Sequence, residues 1–205
     1  AALSWAAGAA MLWLGLPPSL AAGGTLATGA ILTGALHEDG LADCADGFWG
    51  GHTRERRLGI LHDSRIGSYG VIALVLVLGM KWIALAFLFE AGAALLSLVT
   101  VGMLSRAGMA GLMAALPFAR QDGLAVHVGR PSRATATAAV LIALIGGAMA
   151  LGVAGLGVAL AVLASTAATA LISRKKLGGQ TGDVLGASQQ VAELVALLTC
   201  TALLV

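Results

Sequence analysis

The stretch Tyr69-Gly70-Val71-Ile72-Ala73-Leu74-Val75-Leu76-Val77-Leu78-Gly79-Met80-Lys81-Trp82-Ile83-Ala84-Leu85-Ala86-Phe87-Leu88-Phe89 carries a single charged residue, Lys81. A helix of that length rises about 30 Å, the thickness of a bilayer's hydrocarbon core. Similar apolar runs extend on both sides of it, over Ala1–Leu16, Pro17–Leu36, Ala91–Leu116, Ala134–Leu151, Val153–Ile172 and Ser188–Val205. They predict an all-α fold, a polytopic transmembrane helical bundle of about seven spans in one domain over 1–205. The joins at Glu90 and near Gly152 leave room only for tight hairpins.

Composition points the same way. Hydrophobic residues make up 59% of the 205-residue chain and charged residues 11%, against about a quarter charged in ordinary soluble domains. The mean hydropathy is +0.93. Twenty-nine glycines and few aromatics suit membrane helices, whose backbones approach closely where side chains are small. A net charge of +2, with the basic residues set between apolar runs, argues against a nucleic-acid partner. Cys44 and Cys200 form neither a metal-type spacing nor a disulfide framework. The chain starts with Ala1 inside an apolar run, so further residues upstream are expected. A homo-oligomer is compatible with this composition.

Three polar segments separate the runs: His37–Ser68, Pro117–Arg133 and Ser173–Ala187. Counting spans puts all three on one side of the bilayer. Ten of the twelve Lys and Arg residues and eight of the ten acids gather there. Basic loops stay on the cytoplasmic side, which predicts that the active surface of this membrane protein faces the cytoplasm.

The densest chemistry is His37-Glu38-Asp39-Gly40-Leu41-Ala42-Asp43-Cys44-Ala45-Asp46-Gly47. At ~100° per residue on a helix, Asp43 lies ~40° from Asp39 and Asp46 ~20° to its other side. The three carboxylates thus share one stripe, and Glu38 points away. Two carboxylates ~6 Å apart repel by roughly 3 kcal/mol at an effective dielectric of ~20, so the stripe calls for a cation or raised pKa values. Mg2+ takes oxygen ligands and commonly binds through carboxylates plus substrate phosphates. A solvated acidic loop is the plain alternative. His37, beside the stripe, is a candidate acid/base group or phosphate ligand.

A second group, His62-Asp63-Ser64-Arg65-Ile66-Gly67-Ser68-Tyr69-Gly70, adds a carboxylate and a guanidinium suited to bidentate phosphate binding, although Asp-Ser before a helix is also an ordinary cap. The third is Arg174-Lys175-Lys176-Leu177-Gly178-Gly179-Gln180-Thr181-Gly182-Asp183. Basic residues before a Gly-rich turn and a helix start can bind phosphate, so Arg174, Lys175, Gly179, Thr181, Gly182 and Asp183 join His37 and Arg65 as candidate substrate contacts. Lipid contact and topology are the plain reading of the basic triplet. Lys81 and Arg106 lie within spans, where charges are costly; Lys81 is expected to pair with Glu90 or Glu193.

The segments 37–47, 63–70 and 178–187 together, in this order and at these separations, resemble the cobalamin synthase family, over nearly the whole chain. The family pattern more often has an apolar residue at position 38 and Lys at 62, where this chain has Glu38 and His62. The resemblance implies an adenosylcobinamide-GDP ribazoletransferase: a ribose hydroxyl of α-ribazole, or of its 5′-phosphate, attacks the cobinamide-side phosphorus and GMP leaves. It implies Mg2+ held by Asp39, Asp43, Asp46 and Asp63, which are also the catalytic candidates.

Three other readings fit the sequence less well. A CDP-alcohol phosphotransferase would have Ala-Arg after the first Asp-Gly and a later Asp-x-x-x-Asp, both missing here. A membrane prenyltransferase usually has two Asp-rich motifs. A transporter would place its acids near the bilayer midplane, not in the loops.

Overall fold

The computed structural model describes residues 1–205. Ten helices form the chain: α1 Ala2–Trp13, α2 Pro18–Thr33, α3 Leu36–Gly50, α4 Arg54–Ile60, α5 Ser68–Glu90, α6 Ala94–Ala115, α7 Leu124–Val128, α8 Arg133–Leu151, α9 Val153–Leu177 and α10 Gly182–Leu204. The only β pairing is an isolated bridge between Phe118 and Gln180.

Five helices, α5, α6, α8, α9 and α10, are long and apolar enough to cross a membrane. Their outward faces carry bare Val75, Leu76, Ile83, Leu141, Ile145, Met149, Leu160 and Leu163, the surface a multi-pass protein offers to lipid. α1 has 12 residues and α2 has 16, short of a full span each. The apolar runs there read longer because hydropathy does not register the Leu14 C-cap of α1 or the Gly34 C-cap of α2.

Two backbone devices shape the site. Gly34 (φ 62) and Ala35 (φ 55) are both left-handed and turn α3 through 89° from α2. Ala35 is the one non-glycine residue with positive φ, a conformation that costs an L-residue roughly 1 kcal/mol. The segment expected as a loop therefore folds as α3 and α4, with α3 turned across the bundle end. The other device is the 178–181 turn. Gly178 (φ 81) closes α9, and the Thr181 hydroxyl accepts the Val184 N–H to open α10. Such a cap satisfies a helix-start donor that would otherwise be orphaned. α10 accordingly begins six residues before the apolar run.

α10 is the central helix, packed against α3, α5, α6 and α9. Glycines set its crossing with α3: a Cβ on Gly40 would stand 2.7 Å from the Asp183 carbonyl oxygen, and one on Gly186 would stand 3.1 Å from His37 Cα. Two apolar clusters form the interior. The larger includes Leu85, Leu88, Val101, Val158 and Leu197, and the smaller supports the site through Leu41, Phe48, Leu61, Leu112, Leu177 and Val184. Between the helices lies an ion pair. Lys81, 2% exposed, donates to Glu193 Oε2 at 2.8 Å and to Gln190 Oε1 at 2.9 Å. Of the two partners expected for Lys81, Glu193 is the one present.

Candidate active site

The three polar segments gather at one end of the bundle, as the count of spans requires. Backbone bonds lock the second to the third: Ala119 N–H donates to the Gln180 carbonyl at 2.9 Å, and Gln180 N–H to the Pro117 carbonyl at 2.8 Å. The Gln180 amide adds bonds to the Met113 and Leu116 carbonyls. From the first segment, Arg54 donates to the carbonyls of Leu177 (2.7 Å) and Ala119 (2.6 Å), and Arg57 to that of Lys176. These cations sit at the C-terminus of α9, where unpaired carbonyls and the helix dipole favour positive charge.

Inside this frame is a cavity of about 360 Å³ lined by Asp39, Ala42, Asp43, Leu61, His62, Asp63, Ser64, Ile66 and Asp183. Its four carboxylates come from α3, the 61–67 turn and the first turn of α10. Burial, and then the neighbouring Asp39, Asp183 and Asp46 carboxylates, push the Asp43 carboxyl up to about 7. Asp63 behaves oppositely. Arg65 grips it through Nε (3.0 Å) and Nη2 (2.7 Å), and these bonds hold its carboxyl down to about 2.

Asp46 does not line this cavity. Its carboxylate accepts the N–H groups of Gly67 (2.7 Å) and Gly70 (3.0 Å) at the start of α5. Glycine is needed at both positions, because a Cβ on either would lie 2.5 Å from an Asp46 oxygen. His37 also lies elsewhere, in a separate cavity of about 110 Å³ with Glu38, Lys81, Arg106, Gln190 and Glu193. Arg174 and Lys175 are exposed and outside the acidic cavity. Lys176 bonds the Phe48 carbonyl and stands 4.8 Å over the Trp49 ring. Gly179 is buried against the Pro117 carbonyl, where a side chain would block the docking of the second segment. Thr181 donates to Asp183 at 3.1 Å, and Gly182 has open space where a Cβ would go.

Sequence reasoning missed two groups. His62 lines the cavity, and Arg120 stands 3.6 Å from Asp183. His62 opens the second polar group, so its place in the chain was a clue; Arg120 lies in a segment with no motif to mark it.

No three His, Cys, Asp or Glu side chains stand close enough to enclose a metal ion. Mg2+ does not need such a cage. It keeps several waters and binds through one or two carboxylates plus substrate phosphates. Four carboxylates in one cavity, one raised by burial and then by its neighbours, suit a hard cation arriving with an anionic substrate.

The cobalamin-5-phosphate synthase description matches residues 1–201, nearly the whole chain. The chain belongs to the cobalamin-5-phosphate synthase family. Curated relatives in this family named adenosylcobinamide-GDP ribazoletransferase include one from Bradyrhizobium diazoefficiens, 46% identical over 92% of this chain and 73% of the relative. One from Mesorhizobium japonicum is 43% identical over 91% and 72%, and one from Azorhizobium caulinodans is 46% identical over 94% and 77%. No solved structure matches the chain. Membership in the cobalamin-5-phosphate synthase family bears out the resemblance read from the three motifs, and sets aside the CDP-alcohol phosphotransferase, prenyltransferase and transporter readings.

Proposed function

We propose that this chain transfers the cobinamide phosphate of adenosylcobinamide-GDP to α-ribazole, or to α-ribazole 5′-phosphate, with Mg2+ as cofactor. The products are adenosylcobalamin, or its 5′-phosphate, and GMP, which makes this a late step of vitamin B12 biosynthesis. The observation that carries the reading is the cavity where carboxylates from three separate motifs meet, in a chain whose curated relatives bear that enzyme's name.

Phosphoryl-type transfer needs positioning and charge neutralisation more than covalent chemistry. One or two of Asp39, Asp43, Asp63 and Asp183 would hold the ion together with substrate phosphate oxygens and water, while Asp46 fixes α5 against α3. Bound Mg2+ would neutralise charge on the pyrophosphate. The attacking ribose hydroxyl forms the new P–O bond and gives its proton to a cavity carboxylate. The bond from that phosphorus to the GMP oxygen breaks, and GMP leaves with the electron pair. Arg65 offers a guanidinium fork at the rim once its hold on Asp63 is exchanged for phosphate oxygens. The 178–183 turn lets the substrate approach the backbone at Gly182.

We place this end of the bundle at the cytoplasmic face of the inner membrane. The excess of basic residues at that end supports the orientation.

The test is GMP release from adenosylcobinamide-GDP by the purified chain in lipid nanodiscs. GMP should appear only when both α-ribazole and Mg2+ are present. Folded protein that releases none, or that releases it equally in excess chelator, would overturn the reading.

A further inference from the structure

We infer that Arg120 is a pyrophosphate-binding residue, a guanidinium that Asp183 holds in store until the substrate arrives. The inference rests on the reading of the acidic cavity as the pyrophosphate site.

Four observations carry it. Arg120 is about four-fifths buried, with Nη2 3.6 Å from Asp183 Oδ2 and Nε 3.6 Å from Asp122 Oδ1. Both separations are longer than a hydrogen bond, so charge alone holds a group with five N–H donors. A buried guanidinium with a structural task normally closes such bonds, as Arg54 does with two carbonyls.

The backbone that carries Arg120 is, by contrast, firmly fixed. Ala119 is buried, its N–H bonds Gln180, and its carbonyl accepts from Arg54. Gly123, at φ 91, leaves the space that the guanidinium occupies, since a Cβ there would stand 3.0 Å from Nη2. A fixed base under a loosely held head suits a group that changes partners.

The change is set by charge. With no cation in the cavity, Arg120 offsets Asp183, whose neighbour Asp39 adds like charge. A metal ion that takes Asp183 removes the carboxylate's hold, and the guanidinium is left beside an incoming diphosphate. Guanidinium forks match phosphate oxygens in a bidentate way that an ammonium does not.

This arrangement predicts opposite effects on the two ligands. Mn2+ binding to the purified chain, read from loss of the free-ion EPR signal, is measured with and without GDP as the pyrophosphate probe. In Arg120→Ala, Mn2+ alone should bind as well as in wild type or a few-fold tighter, because a competing cation is gone. GDP affinity in the presence of Mn2+ should fall at least ~10-fold, with Arg120→Lys intermediate. Asp122→Asn should leave both affinities within about twofold, as expected for an exposed rim carboxylate. Unchanged GDP affinity in Arg120→Ala would overturn the assignment. So would Mn2+ binding weakened in step with GDP in an Arg120→Lys protein of wild-type melting temperature, which would make Arg120 a structural residue. If wild type binds Mn2+ but not GDP, Arg120 loses its role while the metal site stands. If it binds neither, the reading of the cavity falls first and the inference with it.

Discussion

Asp46 and Gly70, 24 residues apart in sequence, are joined by a 3.0 Å hydrogen bond from the Gly70 N–H to the carboxylate. A second bond from Gly67 completes a cap on α5 that comes from another helix. Asp46 therefore ties α3 to the start of α5, while Asp39, Asp43, Asp63 and Asp183 line the acidic cavity. Asp46→Ala should cost about 2 kcal/mol, since it orphans two N–H groups at a helix start. Asp46→Asn keeps one accepting oxygen and should cost about half as much by the same reasoning. Mn2+ affinity should change less than about twofold in Asp46→Asn and fall at least ~10-fold in Asp43→Asn, which removes a proposed metal ligand. Thermal melting in detergent and Mn2+ titration separate the two roles. An Asp46→Asn protein with wild-type melting and ~10-fold weaker Mn2+ binding would return Asp46 to the metal shell.

The Lys81–Glu193 pair predicts a different kind of sensitivity. Glu193→Leu leaves an ammonium 2% exposed within the bundle, and breaking a buried pair from one side costs about 3–5 kcal/mol. Replacing both partners, Lys81→Met with Glu193→Leu, should recover most of that loss. Gln190 accepts from Lys81 and donates to Glu38 at 3.0 Å, and a double mutant no more stable than the single one would mean that this bridge, not the ion pair, carries the energy.

Much of this was legible because the informative signals are local. A long apolar run announces a span, and Asp, Gly and Arg clusters announce anion or metal chemistry. Asp39, Asp43, Asp63 and Asp183 were all found that way, and the cavity brings them together. What the sequence hid depends on contacts across the chain. The helical stripe groups Asp46 with Asp39 and Asp43 correctly, but says nothing of the N–H groups that α5 brings to it. Gly67 and Gly70 were the available clue. The basic triplet looked like a phosphate clamp, yet Lys176 turns to Phe48. His37 adjoins Asp39 in sequence but faces the other cavity, because successive helical residues point ~100° apart.

The Asp43 carboxyl, raised to about 7 by burial and its acidic neighbours, predicts a pH effect with a definite sign. A group whose pKa is raised on folding contributes stability below its unfolded pKa and loses it as pH rises through the folded value. Metal-free protein should therefore melt at a lower temperature at pH 8 than at pH 5. Mg2+ binding needs the deprotonated carboxylate, so Mg2+ should restore stability mainly at pH 8, with affinity rising up to about pH 7 and levelling above it. Asp43→Asn should flatten both trends. Metal-free melting that rises between pH 5 and pH 8 in wild type, or an unchanged profile in Asp43→Asn, would show that Asp43 does not titrate in this range.

The orientation of the bundle can be read chemically, because Cys44 and Cys200 are both buried and give little background to thiol labelling. Ser64 and Ser132 are exposed and belong to two of the three segments at the end that holds the acidic cavity. Ser64→Cys and Ser132→Cys in intact cells should resist a membrane-impermeant maleimide, and should react once the membrane is opened. A cysteine at Gly92, in the α5–α6 turn at the opposite end, should show the reverse pattern; Gly92 has φ 68 with open space around it, so the substitution strains only the turn. Ten of twelve basic residues lie at the Ser64 and Ser132 end, and the bias that keeps such loops inside requires this result. Strong labelling of Ser132→Cys from outside, with Gly92→Cys protected, would invert the protein in the membrane and place the acidic cavity on the side away from the cell's nucleotides.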